Sequence, residues 1–149
     1  MPGKRPQLVL FDSDGSVGRH LADLAAENRW LVRPAKTLAA ARELARDRRP
    51  TVAFLTFSPA DPEVVGLVAE LHHSAPDAVV VAVSDEKLSE PDRAAWTAEL
   101  MDLGARYVLF PPLTKPVLED LASGLMRGGA HGPAAPGDGV IDLADEDDE

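Results

Sequence analysis

Apolar residues along the chain alternate between short continuous runs and longer stretches with helical spacing. Five of the runs are of strand type, at residues 7–12, 30–33, 51–56, 78–83 and 106–110. Each run is followed by a stretch in which apolar residues return every three or four positions, as on one face of an amphipathic helix. The pattern therefore predicts five consecutive βα units.

Residues typical of helix ends stand at the borders of these stretches. Thr37, Ser89 and Thr114 are predicted N-caps, and residues 61–63 combine an aspartate N-cap with a proline at the first helical position. Gly104 follows the fourth helical stretch, where a left-handed residue is common. The helices are thus bounded by their own local chemistry.

The third and fourth runs, TVAFLT and AVVVAV, are apolar on both faces. Such strands are typical of a parallel sheet covered by helices on both sides, and right-handed crossovers then give a doubly wound α/β sheet. We predict one domain over residues 1–127, a flexible Gly, Pro and Ala-rich linker over 128–139, and a disordered acidic tail over 140–149.

The composition excludes some classes of protein. The 149 residues include no cysteine, which argues against a disulfide framework and a thiolate metal site. No apolar run approaches the roughly 20 residues of a membrane span. We therefore expect a soluble cytoplasmic protein.

The net charge of −10 is unevenly distributed. Residues 138–149 contain seven of the 25 acidic residues, so the rest of the chain carries a net charge of only −3. No basic stripe is present that could release phosphate counterions, and nucleic-acid binding is not expected.

The working residues of an open α/β sheet lie at the carboxyl ends of its strands. The residues at these positions are Asp12, Ser13, Asp14, Thr56, Ser84, Pro111 and Pro112. They supply one or two carboxylates and two hydroxyls but no cation. Magnesium-dependent phosphoryl transfer also needs a positive group that offsets charge, so only part of the required set is present.

Residues 7 to about 127 resemble the receiver domain of bacterial two-component response regulators. Four segments carry the resemblance: LVLFDSDGSVGRHL, RRPTVAFLTFSP, AVVVAVSDE and GARYVLFPPLT. The resemblance implies a flavodoxin-like sheet with strand order 2-1-3-4-5. In that family an aspartate at the end of the third strand accepts a phosphoryl group, and an acidic pair after the first strand holds magnesium.

The acidic positions of the family are only partly kept. The acceptor aspartate falls on Thr56. The first acid of the pair is Asp12, the second falls on Ser13, and Asp14 stands one residue late. The resemblance therefore supports the fold and argues against the phosphorylation chemistry.

The family also has a hydroxyl after the fourth strand and a lysine after the fifth. Ser84 keeps the hydroxyl, whereas the lysine falls on Pro111, or on Phe110 if one gap is allowed. Lys115 lies too far along, at the start of the last helix. The resemblance further implies a cis bond between Pro111 and Pro112.

The predicted function is that of a pseudo-receiver, a non-catalytic signal-transduction module that acts through protein–protein interaction. The family's usual contact face, made by helix 4, strand 5 and helix 5, is implied for an unidentified protein partner, and a homodimer is one option. No cofactor is expected. Asp12 and Asp14 either cap the first helix or leave a residual Mg²⁺ site centred on Asp12.

Two other functions stay open. The stretch VLFDSDGSV also resembles the first motif of haloacid-dehalogenase-type phosphatases, in which Asp12 would be the nucleophile and Asp14 the general acid and base, with Ser84 as the second motif. The lysine and the later acidic pair of that family have no counterpart at a strand end. The other alternative is a phosphorylation-regulated receiver with an unusual acceptor.

The acidic tail contains the apolar residues Val140, Ile141 and Leu143. They could add as a strand to the sheet edge of a partner, with the acidic residues steering toward a basic patch. The alternative is a tail that only increases solubility.

Overall fold

The computed structural model describes residues 5–12, 14–60 and 63–129. Strands and helices alternate along the chain, which confirms the five predicted βα units. Their bounds are β1 Gln7–Phe11, α1 Ser16–Asn28, β2 Leu31–Pro34, α2 Leu38–Ala45, β3 Thr51–Phe57, α3 Glu63–Ser74, β4 Ala78–Ser84, α4 Glu90–Leu103, β5 Tyr107–Leu109 and α5 Lys115–Gly129. None of the described helices has the length and apolar content that a membrane crossing requires.

The five strands form one parallel sheet in the order β2-β1-β3-β4-β5, as predicted. β3 lies at the centre, with Leu55 opposite Phe11 of β1 and Phe57 opposite Ser84 of β4. This register brings the carboxyl ends of β1, β3 and β4 to the same edge of the sheet. The predicted site residues after those strands are therefore neighbours in space.

Alternate residues of the strands enter two separate apolar layers. Leu8 and Phe54 face α1 and α5, whereas Val9 and Leu55 face α2, α3 and α4. All four side chains are fully buried. Burial of such a side chain stabilises the fold by roughly 1.5–3 kcal/mol, so the doubly wound arrangement rests on the apolar runs identified in the sequence.

The predicted helix caps are confirmed. The side-chain oxygens of Thr37, Ser89 and Thr114 each accept a hydrogen bond from the backbone N–H three residues later, at 3.0, 3.4 and 3.4 Å. Gly104 closes α4 with a positive φ of 124°. Residues 61 and 62, predicted as a further cap, lie outside the described residues, as do residues 130–149.

All five strands differ by one or two residues from the predicted runs, and β5 is shortened to Tyr107–Leu109. α1 ends at Asn28 because Arg29 adopts a left-handed φ of 58°, and β2 consequently begins at Leu31 rather than Trp30. β2 ends at Pro34. Proline has no backbone N–H, and an edge strand tolerates it at a position whose N–H would point away from the sheet. α5 continues to Gly129, two residues into the segment predicted as a linker.

A buried amide ties the amino-terminal ends of the strands together. Gln7 is fully buried, and its Nε2 donates to the carbonyl oxygen of Leu44 at 2.7 Å and to Oγ1 of Thr51 at 3.0 Å. The Thr51 hydroxyl in turn donates to the carbonyl oxygen of Arg49 at 2.8 Å. These bonds link β1 to α2 and to the start of β3.

Two glycines offer a matched test of this packing. A Cβ at Gly104 would meet Cβ of His72 at 2.7 Å and would also be strained by the positive φ, whereas a Cβ at Gly66 in α3 would meet nothing within 4 Å. We expect Gly66→Ala to raise the free energy of unfolding by about 0.5–1 kcal/mol and Gly104→Ala to lower it by at least about 1 kcal/mol. Urea unfolding followed by tryptophan fluorescence measures both. Changes of the same sign in the two variants would contradict this packing.

Candidate functional site

The carboxyl ends of β1, β3 and β4 border a pocket of about 470 Å³, here called the strand-end pocket. α1 and the segment after β5 complete its walls. Its lining consists of Asp12, Asp14, Ser16, Val17, His20, Thr56, Val83, Ser84, Asp85, Pro111 and Leu113. The pocket lies where the sequence predicted a site.

Most of the predicted site residues meet in this pocket. The five that line it are Asp12, Asp14, Thr56, Ser84 and Pro111. Pro112 is exposed and is not part of the lining, although it is joined to Pro111 by a cis peptide bond, as the resemblance implied. Ser13 lies outside the described residues. The tail residues Val140, Ile141 and Leu143 also lie outside them.

The two aspartates bind the backbone at the start of α1. Oδ2 of Asp12 accepts a hydrogen bond from the backbone N–H of Val17 at 2.7 Å, and Oδ1 of Asp14 accepts one from the N–H of Ser16 at 2.9 Å. The first N–H groups of a helix have no partner within the helix, and negative charge is favoured there. Both carboxylates therefore act as caps of α1, with Gly15 making the turn between β1 and the helix at a φ of 74°.

The same pair of carboxylates is electrostatically asymmetric. Burial raises the pKa of Asp12 above its usual value, and the neighbouring carboxylate of Asp14 adds to this rise, while the hydrogen bond from Val17 opposes it. The exposed Asp14 has a lowered pKa, chiefly because the backbone N–H of Ser16 stabilises its charged form. Asp12 is thus the one of the two that resists ionisation.

The hydroxyl of Ser84 is engaged in a local turn. Ser84 is only 2% exposed. Its Oγ donates to the carbonyl oxygen of Glu86 at 2.7 Å and accepts from the N–H of the same residue at 3.2 Å. Thr56, the residue before the end of β3, is half-buried and also lines the pocket.

Lys115 contributes its charge elsewhere. Its Nζ lies 2.8 Å from Oδ2 of Asp23, so that the two side chains join α5 to α1. This hydrogen bond raises the pKa of Lys115 and lowers that of Asp23. Among the described residues, the lining of the strand-end pocket contains three carboxylates, from Asp12, Asp14 and Asp85, and no lysine or arginine.

His20 and Asp85 are lining residues that the sequence interpretation did not include. His20 lies one turn after Ser16 on α1, so helical spacing could have placed it on the side of the capping residues. Asp85 follows β4 directly and is held by its backbone N–H, which donates to the carbonyl oxygen of Phe57 at 3.0 Å. Within the described ranges, no group of three or more His, Asp or Glu side chains is arranged to hold a metal ion.

No protein-family model matches the sequence, and the search of curated proteins finds no match either. Solved structures do match. A CheY-like response regulator receiver domain protein from Methanospirillum hungatei is 13% identical, with a TM-score of 0.65, over 86% of this chain and 98% of that chain. The signal receiver domain of a Luxo repressor protein from Vibrio parahaemolyticus is 13% identical, with a TM-score of 0.69, over 86% and 95% of the two chains.

A third similar structure is the beryllofluoride-activated NtrC4 receiver domain dimer, which is 19% identical with a TM-score of 0.61 over 85% of this chain and 96% of that chain. At these identities the likeness concerns the fold. The chain has the fold of response-regulator receiver domains.

The opposite pKa shifts of the two aspartates predict opposite effects of their neutralisation. Because the pKa of Asp12 is raised on folding, its contribution to stability is full below the usual aspartate pKa of about 3.9 and is lost as pH rises through the raised value. Asp12→Asn has no charge to bury, and its side-chain oxygen can still accept the hydrogen bond from the N–H of Val17. We therefore expect the variant to have a higher free energy of unfolding than the parent at pH 7. The difference should vanish below the usual pKa.

Asp14 is the matched control because its pKa is lowered on folding. Its contribution to stability is present above the usual pKa and is lost as pH falls through the lowered value. Asp14→Asn should therefore be less stable than the parent at pH 7. Urea unfolding of both variants across a pH series measures the two effects. A change in the free energy of unfolding with the same sign in both variants at pH 7 would refute the asymmetry.

Proposed function

We propose that this chain is a non-catalytic signal-transduction module of the response-regulator type, a pseudo-receiver that acts through protein–protein contacts. The observation that carries this proposal is the charge of the strand-end pocket, which has three carboxylates and no lysine or arginine among its described lining residues. A phosphoryl group brings negative charge, and its transfer depends on positive groups that offset this charge. Receiver domains also have acidic pockets, but they offset the charge with magnesium and a lysine, and the described lining of this pocket offers no lysine or arginine for that role.

The roles of individual side chains agree with this proposal. Thr56 supplies a hydroxyl where the receiver family has its acceptor carboxylate. The carboxylate of Asp12 and the hydroxyl of Ser84 are bound to backbone groups. Lys115 is paired with Asp23 between α5 and α1. The proposed module thus has the fold of a receiver but lacks that family's acceptor aspartate and lysine.

We propose no cofactor for this module. Mg²⁺ favours sites with more than one oxygen ligand, often including carboxylates and phosphate oxygens. Asp12 offers one oxygen beyond the one bound to Val17, and burial already disfavours its charged form. A magnesium ion at Asp12 alone would therefore be weakly held.

The proposed contact face is the one formed by α4, β5 and α5. Met101, Tyr107 and Val117, one from each of these elements, are large apolar side chains with 44–52% of their surface exposed. Large exposed apolar side chains are candidates for contact with a partner when they form a continuous patch. The similar NtrC4 receiver is a dimer, and we propose a second copy of this chain as the occupant, which sedimentation velocity of the chain and of Tyr107→Glu would test.

An acyl phosphate such as acetyl phosphate tests the proposed loss of phosphorylation. We expect the parent chain, incubated with acetyl phosphate and Mg²⁺, to show no phosphoryl adduct by intact mass spectrometry. The triple variant Ser13→Asp, Thr56→Asp and Pro111→Lys restores the residue types of the receiver family, and we expect it to form the adduct. The parent and the triple variant are compared in the same buffer.

Two outcomes would contradict the proposal. A stable adduct on the parent chain would indicate a phosphorylation-regulated receiver with an unusual acceptor. Continuous release of phosphate by the parent chain, abolished by Asp12→Asn, would indicate the phosphatase alternative, in which Asp12 is the nucleophile and Asp14 the acid and base.

A further inference from the structure

Charge is divided between the two halves of the sheet. Residues 1–49, which include β1, α1, β2 and α2, contain ten basic and six acidic residues. Residues 50–137, which include the remaining elements, contain five basic and twelve acidic residues. The part of the chain that supplies β2 is therefore net positive, and the part that supplies β5 is net negative.

Three cations follow one another along the edge strand β2. Arg29 precedes the strand, Arg33 lies within it and Lys36 follows it. In the part of the chain that the structure describes, none of these three side chains forms an ion pair with a carboxylate. Their charges are available to an acidic partner.

An open groove of about 970 Å³ runs beside β2 and is called here the β2 groove. Its apolar wall includes Ala22 of α1, Val32 and Pro34 of β2, and Leu38 of α2. Val32 lies opposite the fully buried Leu8 of β1, but it is 42% exposed because β2 is at the edge of the sheet. Among the described strands, β2 pairs only with β1, so its outer edge is free to bind an extended segment.

Basic and acidic side chains occupy different parts of the β2 groove. Arg19 and Lys36 belong to its lining, and so do the carboxylates of Asp12, Glu63 and Asp85. Asp12 and Asp85 are shared with the strand-end pocket, so the acidic part is where the two cavities meet. An acidic segment would therefore lie on the β2 side of the groove, away from that junction.

The chain itself contains a segment with the complementary chemistry. Residues 138–149 combine seven acidic residues with Val140, Ile141 and Leu143. Its negative charge is complementary to the cations Arg29, Arg33 and Lys36 beside β2. The apolar residues match the apolar wall of the β2 groove.

The connection to this segment is long enough. α5 runs beside α1, as the pair between Lys115 and Asp23 shows, and α1 borders the β2 groove. α5 ends at Gly129, at the amino-terminal edge of the sheet, where α1 also ends. The ten residues 130–139 can span up to about 35 Å, which exceeds both the roughly 10 Å width of α1 and its length of about 20 Å.

We propose that residues 138–149 dock on the β2 side of their own domain, with Val140, Ile141 and Leu143 in the β2 groove and the acidic residues along Arg29, Arg33 and Lys36. A short tether gives an effective concentration on the order of millimolar, so even a weak contact is populated within one chain. This contact does not depend on the proposed function. The docked segment competes with any other protein for the β2 side.

A spin label tests this contact directly in the full chain. The sequence contains no cysteine, so Ala144→Cys introduces a single site for a nitroxide. We expect the label to broaden the amide NMR signals of residues 29–36 and of Ala22, with much smaller losses in α4. The amide spectrum of each variant reports at the same time whether the domain is folded.

Two charge variants of the labelled chain form a matched pair. Arg29→Gln, Arg33→Gln and Lys36→Gln together remove three positive charges along β2, and we expect the broadening there to be lost. The control is a triple variant that removes three positive charges from the other half of the chain, at Lys87, Arg93 and Arg106, each to Gln. We expect this control to keep the broadening at residues 29–36.

Three results would overturn the proposal. The first is absence of broadening at residues 29–36, and the second is equal broadening over the whole surface. The third comes from a mixture of the spin-labelled chain without isotope and a ¹⁵N-labelled chain without the cysteine. Broadening at β2 in that mixture would mean that the segment docks on a second copy rather than on its own domain.

Discussion

The hydrogen bond between the carboxylate of Asp12 and the backbone N–H of Val17, at 2.7 Å, fixes how the first strand passes into the first helix. It satisfies a donor that the helix cannot satisfy itself, and it sets the direction of α1 relative to the sheet. Asp14, Ser16 and His20 reach the strand-end pocket because α1 starts at this point. The bond also holds the Asp12 carboxyl in a partly buried position, where burial raises its pKa. The position of α1 at the pocket and the raised pKa of Asp12 thus both depend on the hydrogen bond between Asp12 and Val17.

The hydroxyl of Ser84 is committed in a similar way, because it closes a turn with Glu86. Lys115, outside the pocket, is paired with Asp23 between α5 and α1. The fold of a receiver domain is therefore combined with a pocket whose polar groups mainly stabilise the local backbone. The charge that remains for recognition includes the three cations Arg29, Arg33 and Lys36 beside β2. In our proposals, recognition of proteins and of the acidic segment 138–149 replaces phosphoryl chemistry.

Much of this fold could be predicted from the sequence because its signals are local. The runs TVAFLT and AVVVAV identify strands covered on both faces, and Thr37, Ser89 and Thr114 mark the helices that follow by capping them. The start of β2 was less clear, since the apolar Trp30 continues the strand pattern while the left-handed turn at Arg29 has no equally strong signal. The ion pair between Asp23 and Lys115 joins residues far apart in the chain, and the exposure of Val32 arises only because β2 is an edge strand. Such features require the tertiary arrangement.

The central claim, that the strand-end pocket does not hold a phosphoryl group, is tested most directly by amide NMR of the full chain titrated first with Mg²⁺ and then with Mg²⁺ plus beryllofluoride, which mimics a phosphoryl group on aspartate. The account predicts no saturable shifts at the amides that follow β1, β3 and β4. Saturable shifts centred on Asp12, Thr56 and Ser84 would contradict it, because they would demonstrate a working carboxylate site in the pocket.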